Sequence, residues 1–115
     1  MEGNREIILC ERGVRASCHW DYARNLLDLN IIQPLRRLTP LPVIVDPSHA
    51  TGSWKLVEAM SRTALAAGAH GLLVEVVENE IERAKLKCDA AQGITPEILC
   101  GIVDAARGVE SSAIC

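Results

Sequence analysis

Short apolar runs alternate with helix-like segments along this chain, and that alternation limits its possible folds more than any other feature. Three runs are rich in Val, Ile and Leu: EIILCE at 6–11, PVIVD at 42–46 and GLLVEV at 71–76. A strand that is apolar throughout is covered on both faces, which is typical of parallel sheets flanked by helices. We therefore predict an α/β fold with parallel strands joined by right-handed crossover helices.

The segments around these strands have helical spacing or capping residues. In the clearest of them, 53–68, we expect Ser53 to cap the start and Gly68 to end the helix in a left-handed turn. A stripe on this helix is expected to face the core, and it consists of Leu56, Met60, Ala64 and Ala67. The predicted helices are, in order, 20–29, 31–38, 53–68, 79–87 and 95–107.

The composition narrows the class of protein and of partner. The chain has 115 residues, of which 49% are hydrophobic and 23% are charged, as in one ordinary folded domain. A net charge of −3 gives no basic surface for nucleic acid, and no run approaches the roughly 20 apolar residues of a membrane helix. The N-terminal residues lack the pattern of a signal peptide. The five cysteines include no C-x-x-C pair and fit reduced thiols, so we expect a cytoplasmic protein.

Ionisable residues follow all three predicted strands, at the edge where parallel α/β folds bind ligands. Glu11 and Arg12 end the first strand, Asp46 and His49 follow the second, and Glu75 ends the third. Each has a simpler alternative, such as a surface ion pair for Arg12, a chain turn at Asp46 or a loop hydrogen bond for His49. Glu75, flanked by valines, must be paired, protonated or metal-bound if it is buried. Ionisable residues at the ends of all three strands together favour a ligand-binding site. An imidazole with carboxylates suits a divalent first-row metal.

Other polar residues are less informative. Asp89, in KCDAAQG, is the nearest downstream acid with turn-like surroundings, although spacing alone does not select it. Cys18 and His19 are adjacent, and adjacent side chains seldom converge on one metal. His70 lies at the opposite end of a predicted strand, which favours a structural role. The charged segment 78–87 is most simply a solvated helix face.

Four segments together resemble a known enzyme family. ILCERGVR at 8–15, LPVIVDPSHATG at 41–52, AAGAHGLLVEV at 66–76 and CDAAQGITPE at 88–97 carry the resemblance. In that order they resemble the second half of type I 3-deoxy-7-phosphoheptulonate synthase (DAHP synthase), in the smaller bacterial form related to 3-deoxy-octulosonate 8-phosphate synthase. The resemblance implies that residues 1–110 form the C-terminal part of a (β/α)₈ TIM barrel, about half a barrel, and that 111–115 are a frayed C-terminal tail.

The resemblance also implies a reaction and a set of site residues. The family condenses phosphoenolpyruvate with erythrose 4-phosphate in a metal-dependent, aldol-type reaction, the first step of the shikimate pathway to the aromatic amino acids. His49, Glu75 and Asp89 would bind the divalent metal, with Mn²⁺ as the first choice and Fe²⁺, Co²⁺ or Zn²⁺ as alternatives. Arg12 would hold the phosphate of phosphoenolpyruvate and, with His49, act in catalysis, while Asp46 would help to bind substrate.

The chain departs from the family pattern in several places. Val77 and Glu78 stand where a His-Pro pair is usual, and the segment leading to Asp89 is longer than expected. The family's first four strands, its metal-binding Cys and its Lys and Arg substrate loops have no counterpart in these 115 residues. We therefore expect a missing N-terminal half-barrel or self-association to cover the open side. Two alternatives remain: a non-catalytic fragment that binds metal or phosphate or only assembles, and an octulosonate-type synthase.

Overall fold

Parallel strands and helices alternate along the chain, as predicted. The computed structural model of the chain describes residues 3–16, 24–85 and 91–113. No helix in these ranges is both long and apolar enough to cross a membrane. A short 3-10 turn at Leu29–Ile31 precedes the first helix. The elements are β1 (Leu9–Glu11), α1 (Ile32–Leu38), β2 (Val43–Val45), α2 (Pro47–Thr51), α3 (Trp54–Ala66), β3 (Gly71–Leu72), α4 (Glu80–Lys85) and α5 (Pro96–Ala113).

The three strands form one parallel sheet in the order β1-β2-β3, which confirms the predicted parallel pairing. Leu9 lies opposite Val43, and Val45 lies opposite Leu72. The strands themselves are shorter than the predicted apolar runs, because only two or three residues of each keep regular ladder pairing.

A single residue extends the sheet beyond β3. Val76 forms a parallel bridge with Ile94. The Ile94 N–H donates to the Glu75 carbonyl and the Val77 N–H donates to the Ile94 carbonyl, both at 2.9 Å. The sequence analysis did not identify this fourth neighbour, because one paired residue produces no strand periodicity.

Two buried clusters hold the helices to one face of the sheet. Val43 and Val45 pack with Ile32 and Ala64 between the sheet and helices α1 and α3. A second cluster, Val57, Ile94 and Ile102, lies between α3 and α5. Removing each Val or Ile side chain of these clusters from water contributes about 1.5–3 kcal/mol to folding, so the clusters hold the helices against the sheet.

Among the described residues, none packs over the opposite face of the sheet at Ile8, Cys10 and Leu73, and we call this the open sheet face. Side chains alternate between the two faces of a strand, so Cys10 points away from the helices while Leu9 packs against them. Ile8 and Leu73, which flank β1 and β3, share that second face and are exposed. The expectation that both faces are covered therefore holds for the helix side only, among the residues that the structure describes.

The helix predicted at 20–29 is wrong over residues 24–28, while residues 17–23 lie outside the described ranges. Leu26 forms an antiparallel bridge with Val14, and the Asn25 N–H donates to the Ala50 carbonyl at 2.8 Å. Backbone groups used in this way cannot form the i to i−4 bonds of a helix. Asp28 then accepts a hydrogen bond from the Asn30 N–H and starts the 3-10 turn.

The predicted helix at 53–68 is correct in place, but its start differs in detail. Ser53 occupies the capping position of α3 without a side-chain capping hydrogen bond. Gly68 has a φ of +100°, as the left-handed ending requires. At the other end of the chain, α5 continues to Ala113, past the predicted helix end at 107.

Candidate functional site

The motif DPSH folds into the first turn of a helix directly after β2. The Asp46 N–H donates to the Glu11 carbonyl at 2.8 Å, so the ladder between β1 and β2 extends by one residue. Asp46 then caps α2, because its Oδ1 accepts a hydrogen bond from the His49 backbone N–H at 2.9 Å. Asp followed by Pro is the expected pair for the cap and first residue of a helix. The turn therefore brings the His49 side chain back over Asp46.

Asp46 is fully buried, and its second carboxylate oxygen has two partners. Oδ2 lies 2.7 Å from His49 Nδ1 and 3.4 Å from Arg12 Nε. A carboxylate can be removed from water only when partners of this kind replace its hydration. Because Asp46 acts as the acceptor, Nδ1 of His49 carries the proton in the neutral ring and Nε2 keeps its lone pair. The arrangement thus presents a basic nitrogen at the strand ends.

Glu75 lies beyond the end of β3, directly before the bridge residue Val76, and it faces that nitrogen. Its Oε2 is 3.6 Å from His49 Nε2, and the side chains of His49 and Glu75 are 29% and 32% exposed. The Glu75 N–H donates to Ser48 Oγ at 2.9 Å, and Oε2 accepts from Gln92 Nε2 at 2.7 Å. The imidazole nitrogen of His49 and the carboxylate of Glu75 therefore face each other at a position that solvent can reach.

This pair fits a divalent first-row metal in donor type and in spacing. Imidazole nitrogen and carboxylate oxygen suit such ions. Two ligands about 2.0–2.2 Å from one ion in tetrahedral geometry lie about 3.4 Å apart, close to the 3.6 Å between Nε2 and Oε2. Among the described residues no group of three His, Cys, Asp or Glu side chains could hold a metal. Asp89, the third predicted ligand, falls at 86–90, outside those residues.

Two residues of the site were missed by the sequence analysis. Ser48 is fully buried and supports the Glu75 backbone, and Gln92 is fully buried and supports the Glu75 carboxylate. Ser48 lies within the motif DPSH and Gln92 within CDAAQG. A small hydroxyl and an amide inside such motifs were the available signals, but their partners are distant in sequence.

The sequence also offered His70, the pair Cys18 and His19, and the charged segment 78–87 as candidates. His70 accepts a hydrogen bond at Nδ1 from the Val43 N–H at 3.0 Å, at the opposite end of β2, which confirms its structural role. Cys18 and His19 lie outside the described residues. In α4, Lys85 pairs with Glu82 at 2.8 Å on an exposed surface, as a solvated helix face predicts.

Comparison with known proteins identifies the family. Residues 1–110 match the sequence model of the DAHP synthetase I family. The chain belongs to that family. It is 42% identical, over 101 residues, to the phospho-2-dehydro-3-deoxyheptonate aldolase of Thermotoga maritima, a match that covers 88% of this chain and 28% of that protein. The family resemblance seen in the sequence motifs is thereby confirmed.

Two further similarities extend this comparison to a second curated relative and to a solved structure. The chain is 30% identical over 120 residues to the 2-dehydro-3-deoxyphosphooctonate aldolase of Pelobacter propionicus, covering 95% of this chain and 41% of that protein. It also matches the solved structure of a truncated form of 3-deoxy-D-arabino-heptulosonate 7-phosphate synthase from Thermotoga maritima. The TM-score is 0.85 at 38% identity, with 96% of this chain and 40% of the other covered. The chain thus spans less than half the length of the relatives it matches.

Proposed function

We propose that this chain carries one part of the active site of a DAHP synthase, which joins phosphoenolpyruvate to erythrose 4-phosphate with a divalent metal ion. The observation that carries the proposal is the pair at two neighbouring strand ends, where His49 Nε2 faces Glu75 Oε2 at 3.6 Å. The name of the Thermotoga maritima relative, an aldolase of phospho-2-dehydro-3-deoxyheptonate, supports the reaction class.

His49 and Glu75 are the proposed metal ligands, and Asp89 is proposed as the third. When bound, the ion would polarise the aldehyde oxygen of erythrose 4-phosphate as a Lewis acid. Mn²⁺ is our first choice, and Fe²⁺, Co²⁺ or Zn²⁺ would suit the same nitrogen and oxygen donors.

Asp46 orients two residues of the proposed site, His49 and Arg12. Its Oδ2 lies 2.7 Å from His49 Nδ1 and accepts the Nδ1 proton of the neutral ring, which keeps the Nε2 lone pair available to the ion. It also holds Arg12 by an ion pair of 3.4 Å. Because Asp46 is fully buried, we propose that it contributes to substrate binding through Arg12 and His49 and not by direct contact.

Arg12 is the proposed phosphate ligand for phosphoenolpyruvate. Its ion pair with Asp46 uses Nε, and the side chain is 58% exposed. The outer nitrogens of the guanidinium can therefore present two parallel N–H groups to a phosphate, which matches phosphate geometry better than an ammonium does. His49 and Arg12 both contact Asp46, so the metal and the phosphate would be held at neighbouring positions, which favours a bimolecular condensation.

We further infer that the sheet is the C-terminal half of a TIM barrel. The parallel order β1-β2-β3, the bridge from Val76 to Ile94 and the helices on one face support this inference. Side chains fill the interior of a TIM barrel, and Ile8, Cys10 and Leu73 line the corresponding open face. The remaining strands of the family, or a second copy of the chain, would cover it.

The proposal is tested by titrating Mn²⁺ into the 115-residue chain and following binding by calorimetry. Binding should be weak in the wild type and lost in both His49→Ala and Glu75→Gln. The matched control is His70→Ala, which removes an imidazole from the opposite end of β2 and should leave Mn²⁺ binding unchanged. Equal binding by all four proteins would contradict the assignment of His49 and Glu75.

The open sheet face favours a second candidate, a non-catalytic fragment that binds metal or phosphate or serves only in assembly. The two candidates separate in an assay that follows loss of phosphoenolpyruvate in the presence of Mn²⁺ and erythrose 4-phosphate. The chain is assayed alone and with a separately produced N-terminal segment of the Thermotoga maritima relative. Turnover that needs both the segment and His49 supports the synthase, whereas metal binding without turnover supports the second candidate. Identity of 42% against 30% favours the DAHP type over the octulosonate type.

A further inference from the structure

Gln92 lies behind Glu75 in a fully buried position. Its Nε2 donates to Glu75 Oε2 at 2.7 Å, and the same Oε2 lies 3.6 Å from His49 Nε2. The other end of the amide, Oε1, has no hydrogen-bond partner among the described residues. The amide therefore uses its donor on the one carboxylate oxygen that faces His49, and no described residue donates to its acceptor.

The turn that carries Gln92 is fixed by its neighbours. The Trp54 N–H donates to the Ala91 carbonyl at 2.6 Å, and Arg83 Nε donates to the Gly93 carbonyl at 3.0 Å. The Arg83 guanidinium also lies over the Trp54 ring, 4.1 Å from its centroid. These contacts join α3, α4 and the turn, so the backbone on both sides of Gln92 is held in place.

Close packing after the turn restricts it further. A Cβ atom at Gly93 would lie 2.6 Å from Val77 Cγ1, which no real contact allows. Ile94 follows at once and is tied to the Glu75 carbonyl by its N–H at 2.9 Å. Gln92 and Glu75 therefore each lie next to the bridge between Val76 and Ile94, Glu75 just before Val76 and Gln92 two residues before Ile94.

We propose that Gln92 is a positioning residue that orients the Glu75 carboxylate toward His49 for metal binding. The proposal rests on the proposed function of His49 and Glu75 as ligands. The terminal torsion of a Glu side chain is broad and weakly restrained, so one buried donor decides which oxygen faces the ion. Groups that hydrogen-bond to metal ligands in this way typically change metal affinity about 10–100-fold when removed.

A purely structural role for Gln92 makes the opposite prediction about stability. A buried amide with an unpaired oxygen is unfavourable for folding, whereas an apolar side chain of similar shape is often neutral or stabilising. Glu75 is partly exposed, so water can replace the lost donor. Gln92→Leu should therefore keep or raise the melting temperature while Mn²⁺ affinity falls about 10–100-fold.

The experiment compares Mn²⁺ affinity by calorimetry and melting temperature without metal in the 115-residue chain. Gln92→Leu is measured with Gln92→Asn, which keeps an amide that is one methylene too short to reach Glu75. Both variants should lose Mn²⁺ affinity to a similar extent. Only Gln92→Asn keeps a buried amide whose N–H group has lost its acceptor, so only Gln92→Asn should lower the melting temperature. The matched control is Gln33→Leu, which removes an amide donor from the Ala67 carbonyl at the far end of α3.

A second measurement reports the hydrogen bond without metal. In nuclear magnetic resonance spectra, the side-chain amide signal of Gln92 should shift in Glu75→Gln and stay unchanged in His70→Ala. An unshifted signal, or unchanged Mn²⁺ affinity in both Gln92 variants while His49→Ala and Glu75→Gln lose binding, would overturn the role of Gln92 alone. Wild-type chain that binds no Mn²⁺ would overturn the ligand pair, and with it the role of Gln92.

Discussion

Asp46 holds His49 at two points, through its ring and through its backbone. Oδ2 of Asp46 lies 2.7 Å from His49 Nδ1, and Oδ1 accepts from the His49 N–H at 2.9 Å. One buried carboxylate therefore starts α2 and fixes the tautomer of the residue one turn later. Helix capping and imidazole orientation therefore depend on the same side chain here.

Asp46→Asn should separate the two tasks. The Asn oxygen can still cap α2, but its amide nitrogen would donate to Nδ1 and move the ring proton to Nε2. We expect α2 to persist and Mn²⁺ affinity to fall about 10–100-fold, with a change of tautomer in the nitrogen spectrum of His49. Asp46→Ala should also lose the cap, at about 0.5–2 kcal/mol of unfolding free energy.

A control for this change is available in the same chain. The Asp28 side chain caps the 3-10 turn by accepting from the Asn30 N–H at 3.0 Å, whereas its backbone N–H, which the substitution keeps, donates to Glu11 Oε1 at 3.2 Å. Asp28→Asn should leave the His49 tautomer and Mn²⁺ affinity as they are. If Asp46→Asn also leaves both unchanged, Asp46 does not orient the ring.

Arg12→Ala should weaken binding of phosphoenolpyruvate by about 10–100-fold, since hydrogen bonds to charged groups contribute about 1.5–3 kcal/mol. Arg12→Lys keeps the charge but loses the planar fork, so it should restore only part of the affinity. Calorimetry with phosphoenolpyruvate measures the effect. Arg62→Ala is the matched control, because Arg62 is also a half-exposed arginine paired with a carboxylate, Glu58 at 2.7 Å. Equal losses in Arg12→Ala and Arg62→Ala would indicate nonspecific charge attraction.

Cys10 should react slowly with alkylating reagents near neutral pH. Although Cys10 is exposed, partial loss of hydration raises the pKa of its thiol. The negative charges of Asp46 and Glu11 raise this pKa further, and the positive charge of Arg12 partly lowers it. Only the thiolate is the nucleophile. The alkylation rate of Cys10 should therefore increase with pH over a higher pH range in the folded chain than in the denatured chain. Because the folded state favours the protonated thiol, this group contributes stability below the unfolded pKa, and the contribution is lost as pH rises through the folded pKa.

Mass spectrometry after timed alkylation with iodoacetamide resolves the rate at each cysteine. Arg12→Ala should move the pH midpoint of Cys10 alkylation still higher, because it removes the nearby positive charge. A midpoint equal to that of the denatured chain would contradict the predicted shift. The same reaction also reports on the open sheet face, since a partner that covers Cys10 should protect it at every pH.

The open sheet face should drive self-association of the chain. Ile8 and Leu73 are exposed there, and burying side chains of this size contributes about 1.5–3 kcal/mol each. Light scattering should detect a dimer or larger species, and Leu73→Asn should shift it toward monomer. Leu38→Asn is the control, because Leu38 is also exposed but ends α1 on the helix side. A monomer that binds no dye for exposed apolar surface would contradict the inferred half-barrel.

The sequence predicted best where the local pattern and the tertiary structure agree. Val43–Val45 is apolar throughout and forms the central strand. Residues 24–28 have helical spacing, yet pairing of Leu26 with Val14 replaces the helix. Such pairing joins distant segments, so no local pattern contains it.

In the candidate site, too, local patterns predicted some residues, whereas contacts between separate segments could not be predicted. Arg12, Asp46, His49 and Glu75 were predictable because parallel strands deliver their ends to one edge, and the structure brings these four residues together. The capping turn at Asp46 could have been predicted from Asp-Pro alone. Gln92 could not be assigned a partner, because its contact with Glu75 depends on how two separate segments meet.

Ser48 links the two halves of the proposed metal site. Its buried hydroxyl accepts from the Glu75 N–H at 2.9 Å, so the turn that carries His49 is tied to the strand end that carries Glu75. The spacing of the two donors is therefore a product of folding, and the unfolded chain has no equivalent of it. An ion that binds only the folded form shifts the folding equilibrium by mass action. The supply of metal in the surroundings would thereby help to determine how much of this chain is folded at a given temperature.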